Sequence, residues 1–312
     1  MRRLALLSLL LCLIALLAAC GSSTGAPGTT SGPAQPAGTL PKISGAFGTT
    51  PKIVFPNAAP PTKFVAHVLS PGTGPVVAKG DLLVANYVGQ IWRGKVFDSS
   101  FARHQAASFP IGVGQVIPGW DKGLVGVRAG TRILLVLPPV DGYGKTGNTQ
   151  AGITPTDTLV FVIDVISSYS KAVAGDLHAV PQKVASGLPV VTGSMGGPPK
   201  LTVPKGLKAP TKTTVVVLDK GHGALVKPGL VILQYVVVQW STDKVVESTW
   251  TTGTPDGEII GSTVSGTSLL DGLVGIPIGS RVLLEIPTLT SSSGTTPAAA
   301  LAIDIVTEAA NT

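Results

Sequence analysis

The sequence predicts an α+β fold built twice, each time as an antiparallel sheet with one short helix laid on it. Three observations predict it. Short runs rich in Val, Ile, Leu and Tyr are bounded by Gly, Pro and Asp: DLLVANYVGQIW, TRILLVLPPV and TLVFVIDVISSY in the first half, LVILQYVVVQW, SRVLLEIP and ALAIDIVT in the second. Such runs read as strands. Helical periodicity is scarce; its best candidate is PGWDKGLVGV, with Pro118 near a helix start and Trp120, Leu124 and Val127 spaced by four and three. Finally, PKIVFPNAAPPTKFVAHVL at 51–69 is matched by PKLTVPKGLKAPTKTTVVVL at 199–218, and GLVGVRAGTRILLVLP at 123–138 by GLVGIPIGSRVLLEIP at 272–287, at offsets of 148 and 149. That period far exceeds the length of a solenoid repeat, so the halves are a tandem pair of domains.

Taken from the N-terminus, Arg2 and Arg3 precede an apolar run that reaches Ala19, the pattern of an export signal over residues 1–19. It ends Leu17-Ala18-Ala19-Cys20, which resembles a bacterial lipobox and makes Cys20 the expected lipidated first residue of the mature chain. Residues 20–44 are dominated by Gly, Ser, Thr, Pro and Ala, too poor in large apolar groups to offset chain entropy, and are expected to form a flexible tether. Several acyl chains on Cys20 would anchor it stably, where a single chain binds only marginally. The two domains are expected at 45–170 and 193–310, joined by a linker at 171–192.

The totals exclude several function classes. The chain has 23 basic and 16 acidic residues, net +7. Losing Arg2 and Arg3 lowers this to +5, and the lysines stand singly, so no nucleic-acid footprint is present. With Cys12 in the signal and Cys20 acylated, no thiol pair is left for a disulfide or for cysteine catalysis. His67, His104, His178 and His222 have no second ligand at metal-binding spacing. Gly144-Lys145-Thr146 lacks the earlier glycine of a phosphate loop, GVGQVIPG lacks dinucleotide spacing, and no serine lies in a nucleophile elbow. No metal and no cofactor are expected.

What the first half holds instead is a series of aromatic and apolar residues: Tyr87 in NYVG, Phe97 and Asp98 in KVFDSS, Val116, Ile117 and Trp120 in QVIPGW, Tyr143 in DGYG, and Phe161 in TLVFVIDV. Their order and spacing resemble the FK506-binding-protein (FKBP) family of peptidyl-prolyl isomerases, from SPGTG at 70 to the end of TLVFVIDVISSY at 169. The resemblance implies a sheet wrapped around a short helix and an apolar pocket for a proline ring. Trp120 would be its floor and Tyr87, Phe97, Val116, Ile117 and Phe161 its walls. The Ile117 N–H and the Tyr143 hydroxyl would bond carbonyls of the bound peptide, Asp98 would lie at the edge beside Arg103, and Ile153 would belong to a covering flap. The chain departs from the family pattern at Ala107, where a pocket aromatic is common, with Phe109 two residues later. It departs again at Gln115 and Asn148, and its flap is about one residue longer than usual.

In the second half Tyr235 keeps the first tyrosine, but Val246-Glu247-Ser248 stands for Phe-Asp-Ser and Leu269 for the tryptophan. A fold without the pocket is therefore expected there. The function implied is an exported, lipid-anchored, monomeric prolyl isomerase outside the cytoplasm, acting on proline-containing segments of exported proteins. The alternative is a non-catalytic lipoprotein that binds such segments.

Overall fold

The computed structural model describes residues 39–261, 268–291 and 294–309. The expected signal, Cys20 and nearly all of the tether lie outside the described residues. No helix among those described is long and apolar enough to cross a membrane.

The first half opens with a hairpin of β1 (Lys42–Ser44) and β2 (Lys52–Val54). A six-stranded sheet follows: β3 (Val65–Ser70), β4 (Leu82–Ile91), β5 (Val96–Ser99), β6 (Ala107–Pro110), β7 (Arg132–Leu137) and β8 (Leu159–Tyr169). Its order is β3-β7-β8-β4-β5, with β6 also paired to β4. All the pairings are antiparallel. One helix, α1 (Pro118–Leu124), lies against β7, with Gly119 and Gly123 facing the Leu137 and Leu135 side chains.

Burial on both faces explains the near-continuous apolar runs of β4, β7 and β8. Leu83, Ala85, Leu135, Ile163 and Val165 face α1 and form the main core with Trp120 and Leu124. The other face of β7 and β8, with Leu134, Val136, Val160 and Val162, is covered by Leu40 and by Ile43, Ile53 and Phe55 of the opening hairpin region. Here the structure corrects the sequence reading, because Leu40 and Lys42–Ser44, assigned to the tether, are part of the fold. The signal was weak because β1 is only three residues long.

The segment 171–192, expected as a bare linker, carries β9 (Val180–Pro181) and β10 (Val190–Thr192). β10 pairs with β11 (Lys200–Thr202), forming a second hairpin whose neighbourhood packs on Val238, Leu283 and Ala302. The seven-stranded second sheet contains β9, β12 (Thr214–Lys220), β13 (Gly229–Gln239), β14 (Lys244–Ser248), β15 (Asp256–Ile260), β16 (Arg281–Ile286) and β19 (Ala299–Glu308). A short helix, α2 (Thr249–Thr252), follows β14, and the small hairpin β17 (Leu289–Ser291) with β18 (Gly294–Thr296) follows β16. Its order, β12-β16-β19-β13-β14 with β15 on β13, matches the first sheet strand for strand, and β9 is an additional edge.

Each half contains the same buried ion pair. Arg132 donates to both oxygens of Asp164 at 2.5 and 2.7 Å, and its remaining donors reach the Gly45 and Thr49 carbonyls in the turn of the opening hairpin. Arg281 donates to Asp304 at 2.6 and 2.8 Å and to the Gly193 and Gly197 carbonyls in the turn of the second hairpin. A buried guanidinium needs all of its donors used. The pair therefore fixes hairpin to sheet in both halves.

Candidate active site

The site is built on strand β4, the turn after β5, strand β6 and the start of α1. Tyr87 points from β4 toward the helix and is 5% exposed; Trp120, on α1, is 4% exposed. Three rings pack edge to face on the indole, and a fourth packs on one of them. Trp120 meets Phe109 at 4.9 Å, Tyr87 at 5.3 Å and Phe161 at 5.4 Å between centroids, and Phe97 meets Phe161 at 5.6 Å. Edge-to-face contacts of this kind contribute about 0.5–1.5 kcal/mol each beyond area burial. The indole Nε1 is buried without a hydrogen-bond partner among the described residues.

Phe109 stands near Ala107 in this cluster. Both residues lie on β6 two positions apart, hence on one face of the strand, and both pack on the same cluster.

Helix α1 begins at Pro118, whose lack of an N–H suits the first turn. Ile117 caps it in an extended conformation, and its carbonyl accepts the Trp120 N–H at 2.9 Å. The Ile117 N–H donates no hydrogen bond among the described residues. The loop before the helix is shaped by Asp121, which accepts the Gly112 and Gly114 N–H groups at 2.6 and 2.8 Å. Lys122 pairs with the buried Asp141 and so holds the turn Pro139–Asp141 against the helix. Tyr143 follows that turn and packs on the cluster with Val116 and Ile117. Ile153 is buried there too, held by two 2.8 Å backbone bonds with Asn148 across the flap.

Beside the ring cluster the Tyr87 hydroxyl donates to Asp98 at 2.5 Å, Arg103 donates to Asp98, and Arg103 Nη2 donates to the Tyr87 oxygen at 2.9 Å. Burial, then the hydrogen bond to Asp98, push the Tyr87 hydroxyl up to about 12, so it stays protonated at neutral pH. The Asp98–Arg103 pair is open to solvent, with side chains 40% and 49% exposed, and a pair of that kind contributes only ~0–1 kcal/mol. The eleven residues named from the sequence for the expected pocket lie together, nine in the ring cluster and Asp98 with Arg103 on the Tyr87 hydroxyl, and Cys20 lies outside the described residues. A cleft of about 280 Å³ lined by Thr49, Asn86, Phe101, His104 and Ala106 is a different place. Asn86 points to the opposite face of β4 from its neighbour Tyr87.

The corresponding region of the second half lacks the ring cluster among the described residues. Tyr235 keeps its place on β13, but its hydroxyl donates to Glu247 at 2.8 Å and lies 3.1 Å from Asp256, with no arginine in the group among the described residues. Leu269 is the residue aligned with Trp120 by the shared GLVG run, but the geometry shifts the match by one. Asp271 accepts the Gly261 and Ser268 N–H groups as Asp121 accepts those of Gly112 and Gly114, so Leu270, 7% exposed, fills the buried place before it. The helix there is reduced to the 3-10 turn Asp271–Leu273.

Residues 74–166 match the family model described as FKBP-type peptidyl-prolyl cis-trans isomerase. An FK506-binding protein of Streptomyces anulatus is 36% identical over 118 residues, which is 38% of this chain and 95% of that protein. FK506-binding protein 2 of Yarrowia lipolytica is 44% identical over 89 residues, 28% of this chain and 61% of that protein. The FKBP-type peptidyl-prolyl cis-trans isomerase FkpA of Escherichia coli K12 is 40% identical over 105 residues, 34% of this chain and 37% of FkpA. The chain therefore spans nearly all of the first relative, about three-fifths of the second and about a third of the third. With a relative matched over almost its full length and the aromatic site assembled on the same segment, the chain belongs to the FKBP-type peptidyl-prolyl cis-trans isomerase family.

Proposed function

We propose that this chain is a prolyl isomerase exported from the cytoplasm and held at a membrane by lipid on Cys20. Its substrates are X–Pro bonds in exported polypeptides. The observation that carries this reading is the ring-lined site over Trp120, with an unused Ile117 N–H and the Tyr143 side chain at its rim. An X–Pro bond turns over a barrier of ~18–20 kcal/mol set by amide resonance, and no covalent bond is made or broken. Catalysis needs only tighter binding of the twisted amide than of either planar isomer. Twisting removes the resonance that places negative charge on the carbonyl oxygen, so apolar, water-poor walls favour the twisted state. The Ile117 N–H and the Tyr143 hydroxyl would hold flanking carbonyls, and Val116, Ile117 and Ile153 would close over the ring. Asp98, neutralised by Arg103, would border the pocket without charging its floor.

The second half, residues 193–310, is on this reading a degenerate copy of the same domain that has lost catalysis. Support comes from the matched strand order, the repeated Arg–Asp pair, Leu270 in the buried place of Trp120, and carboxylates where the first half has an ion pair. The chain would act as a monomer.

The test is exchange NMR on short X–Pro peptides with the full chain. Accelerated exchange supports the enzyme; bound peptide without acceleration makes the first half a recognition module. Radiolabelled fatty acid incorporated by the wild type but not by Cys20→Ser would support the anchor, and equal labelling of both would sink it.

A further inference from the structure

The two halves meet through the same strands on both sides. Leu82 and Val84 of β4, and Leu230 and Ile232 of β13, project from the strand faces opposite Tyr87 and Tyr235 and are buried against one another. Ile166 and Tyr169 of β8 join them, as do Val306 of β19 and Ala309 just after it. Eight members of the cluster fall into repeat pairs: Leu82 with Leu230, Val84 with Ile232, Ile166 with Val306, Tyr169 with Ala309. A surface that meets its own copy in this way is the arrangement of a two-fold dimer, here within one chain.

Near the centre of that arrangement β6 meets β15. Ser108 and Gly257 are counterparts in the repeat, 149 positions apart. They touch each other, with Ser108 Oγ donating to the Gly257 carbonyl at 3.2 Å. A Cβ on Gly257 would stand 2.4 Å from Ser108 Oγ and 2.7 Å from its Cβ, so any side chain at 257 forces the strands apart. A second bond, Thr254 Oγ1 to the Gly80 carbonyl at 2.9 Å, fixes the turn that leads into β4. The strand pressed on by Gly257 is the one that carries Phe109, whose ring stands against Trp120 on the opposite face.

We infer that the second half is a positioning element of the first half's pocket, acting through Gly257 on Ser108 and so on Phe109. This rests on the isomerase reading of the site. Gly257 is a positioning residue and touches no substrate. Its role also gives the degenerate copy a reason to retain its fold without a pocket, because only the face turned toward β4 and β6 is used.

The test is a cycle of full-chain variants: Gly257→Ser, Ser108→Gly, and the two together. Gly257→Ser is expected to lower kcat for an X–Pro peptide on the order of tenfold, as a sub-ångström misplacement of a wall would, with KM changed far less. It should also shift the indole N–H resonance of Trp120. The double variant exchanges the side chains across the two-fold and is expected to restore both readouts. Unchanged kcat and an unmoved Trp120 resonance in Gly257→Ser would overturn the coupling. So would a loss that the double variant fails to repair. A wild-type chain without isomerase activity would defeat the functional reading alone, because the Trp120 resonance still reports whether Gly257 reaches the pocket. Thermal midpoints measured alongside ensure that only variants folded at the assay temperature are compared.

Discussion

A Cβ on Gly89 would stand 2.7 Å from the Phe97 ring and 2.8 Å from the Phe161 ring. The bare backbone of β4 at this point is what lets two aromatic walls meet edge to face over the strand. In the second half the same register position, opposite Leu301, is held by Val237, and its cluster holds no phenylalanine among the described residues. The second half therefore differs from the first in the strand, at Val237, as well as at the 3-10 turn Asp271–Leu273.

Gly89→Val is expected to remove isomerase activity by displacing Phe97 and Phe161. An overpacked core costs about 1–3 kcal/mol, so the chain should remain folded. Peptide titration followed by Trp fluorescence checks this, with loss of proline-peptide binding as the expected outcome.

The buried Arg132–Asp164 pair is expected to be a stability determinant separate from the pocket. Arg132→Met leaves Asp164 buried and unpaired, at a cost of about 3–5 kcal/mol. Replacing both partners, Arg132→Met with Asp164→Leu, should recover much of that loss, although the hairpin carbonyls lose their donors. Denaturant melts of the single and double variants measure the difference.

Arg103→Ala removes an exposed pair and a contact to the Tyr87 hydroxyl. Its effect on stability is expected to stay below about 1 kcal/mol. Thermal melts check this, and a larger loss would mean that the pair holds the β5–β6 turn.

In the second half, burial together with Asp256 and Glu247 pushes the Glu258 carboxyl up to about 7. The folded state then holds a proton that the unfolded chain has released, so stability falls as pH rises from the ordinary carboxyl value of 4.5 toward 7. Glu258→Gln is expected to raise the thermal midpoint at pH 8, by on the order of 1 kcal/mol equivalent, and to leave it nearly unchanged at pH 4.5. Equal shifts at both pH values would refute the assignment.

How far the fold and site were legible depended on how far chemistry is local. The Val- and Ile-rich runs of β4, β7 and β8 stood out because burial on both faces leaves no polar alternation to obscure them. Trp120 and its partners stood out because FDSS, VIPGW and DGYG carry their spacing in the sequence. The opening hairpin did not, because its hold on the sheet depends on Arg132, some 80 residues away, reaching turn carbonyls. Leu270 was hidden because the GLVG run aligns Leu269 with Trp120, and only the hydrogen bonds of Asp271 reveal the one-residue slip. The contact of Ser108 with Gly257 joins residues that look unremarkable singly, and nothing local announces it.

The most direct test of the central claim is the rate of X–Pro isomerisation by the full chain beside Trp120→Leu, which gives the first half the floor residue type of the second. The account expects clear acceleration by the wild type and a fall of about tenfold or more in kcat/KM for the variant, each tenfold being ~1.4 kcal/mol of lost transition-state binding. Equal acceleration by both, with the variant shown to be folded, would contradict the claim that the ring-lined site over Trp120 is where the proline bond turns.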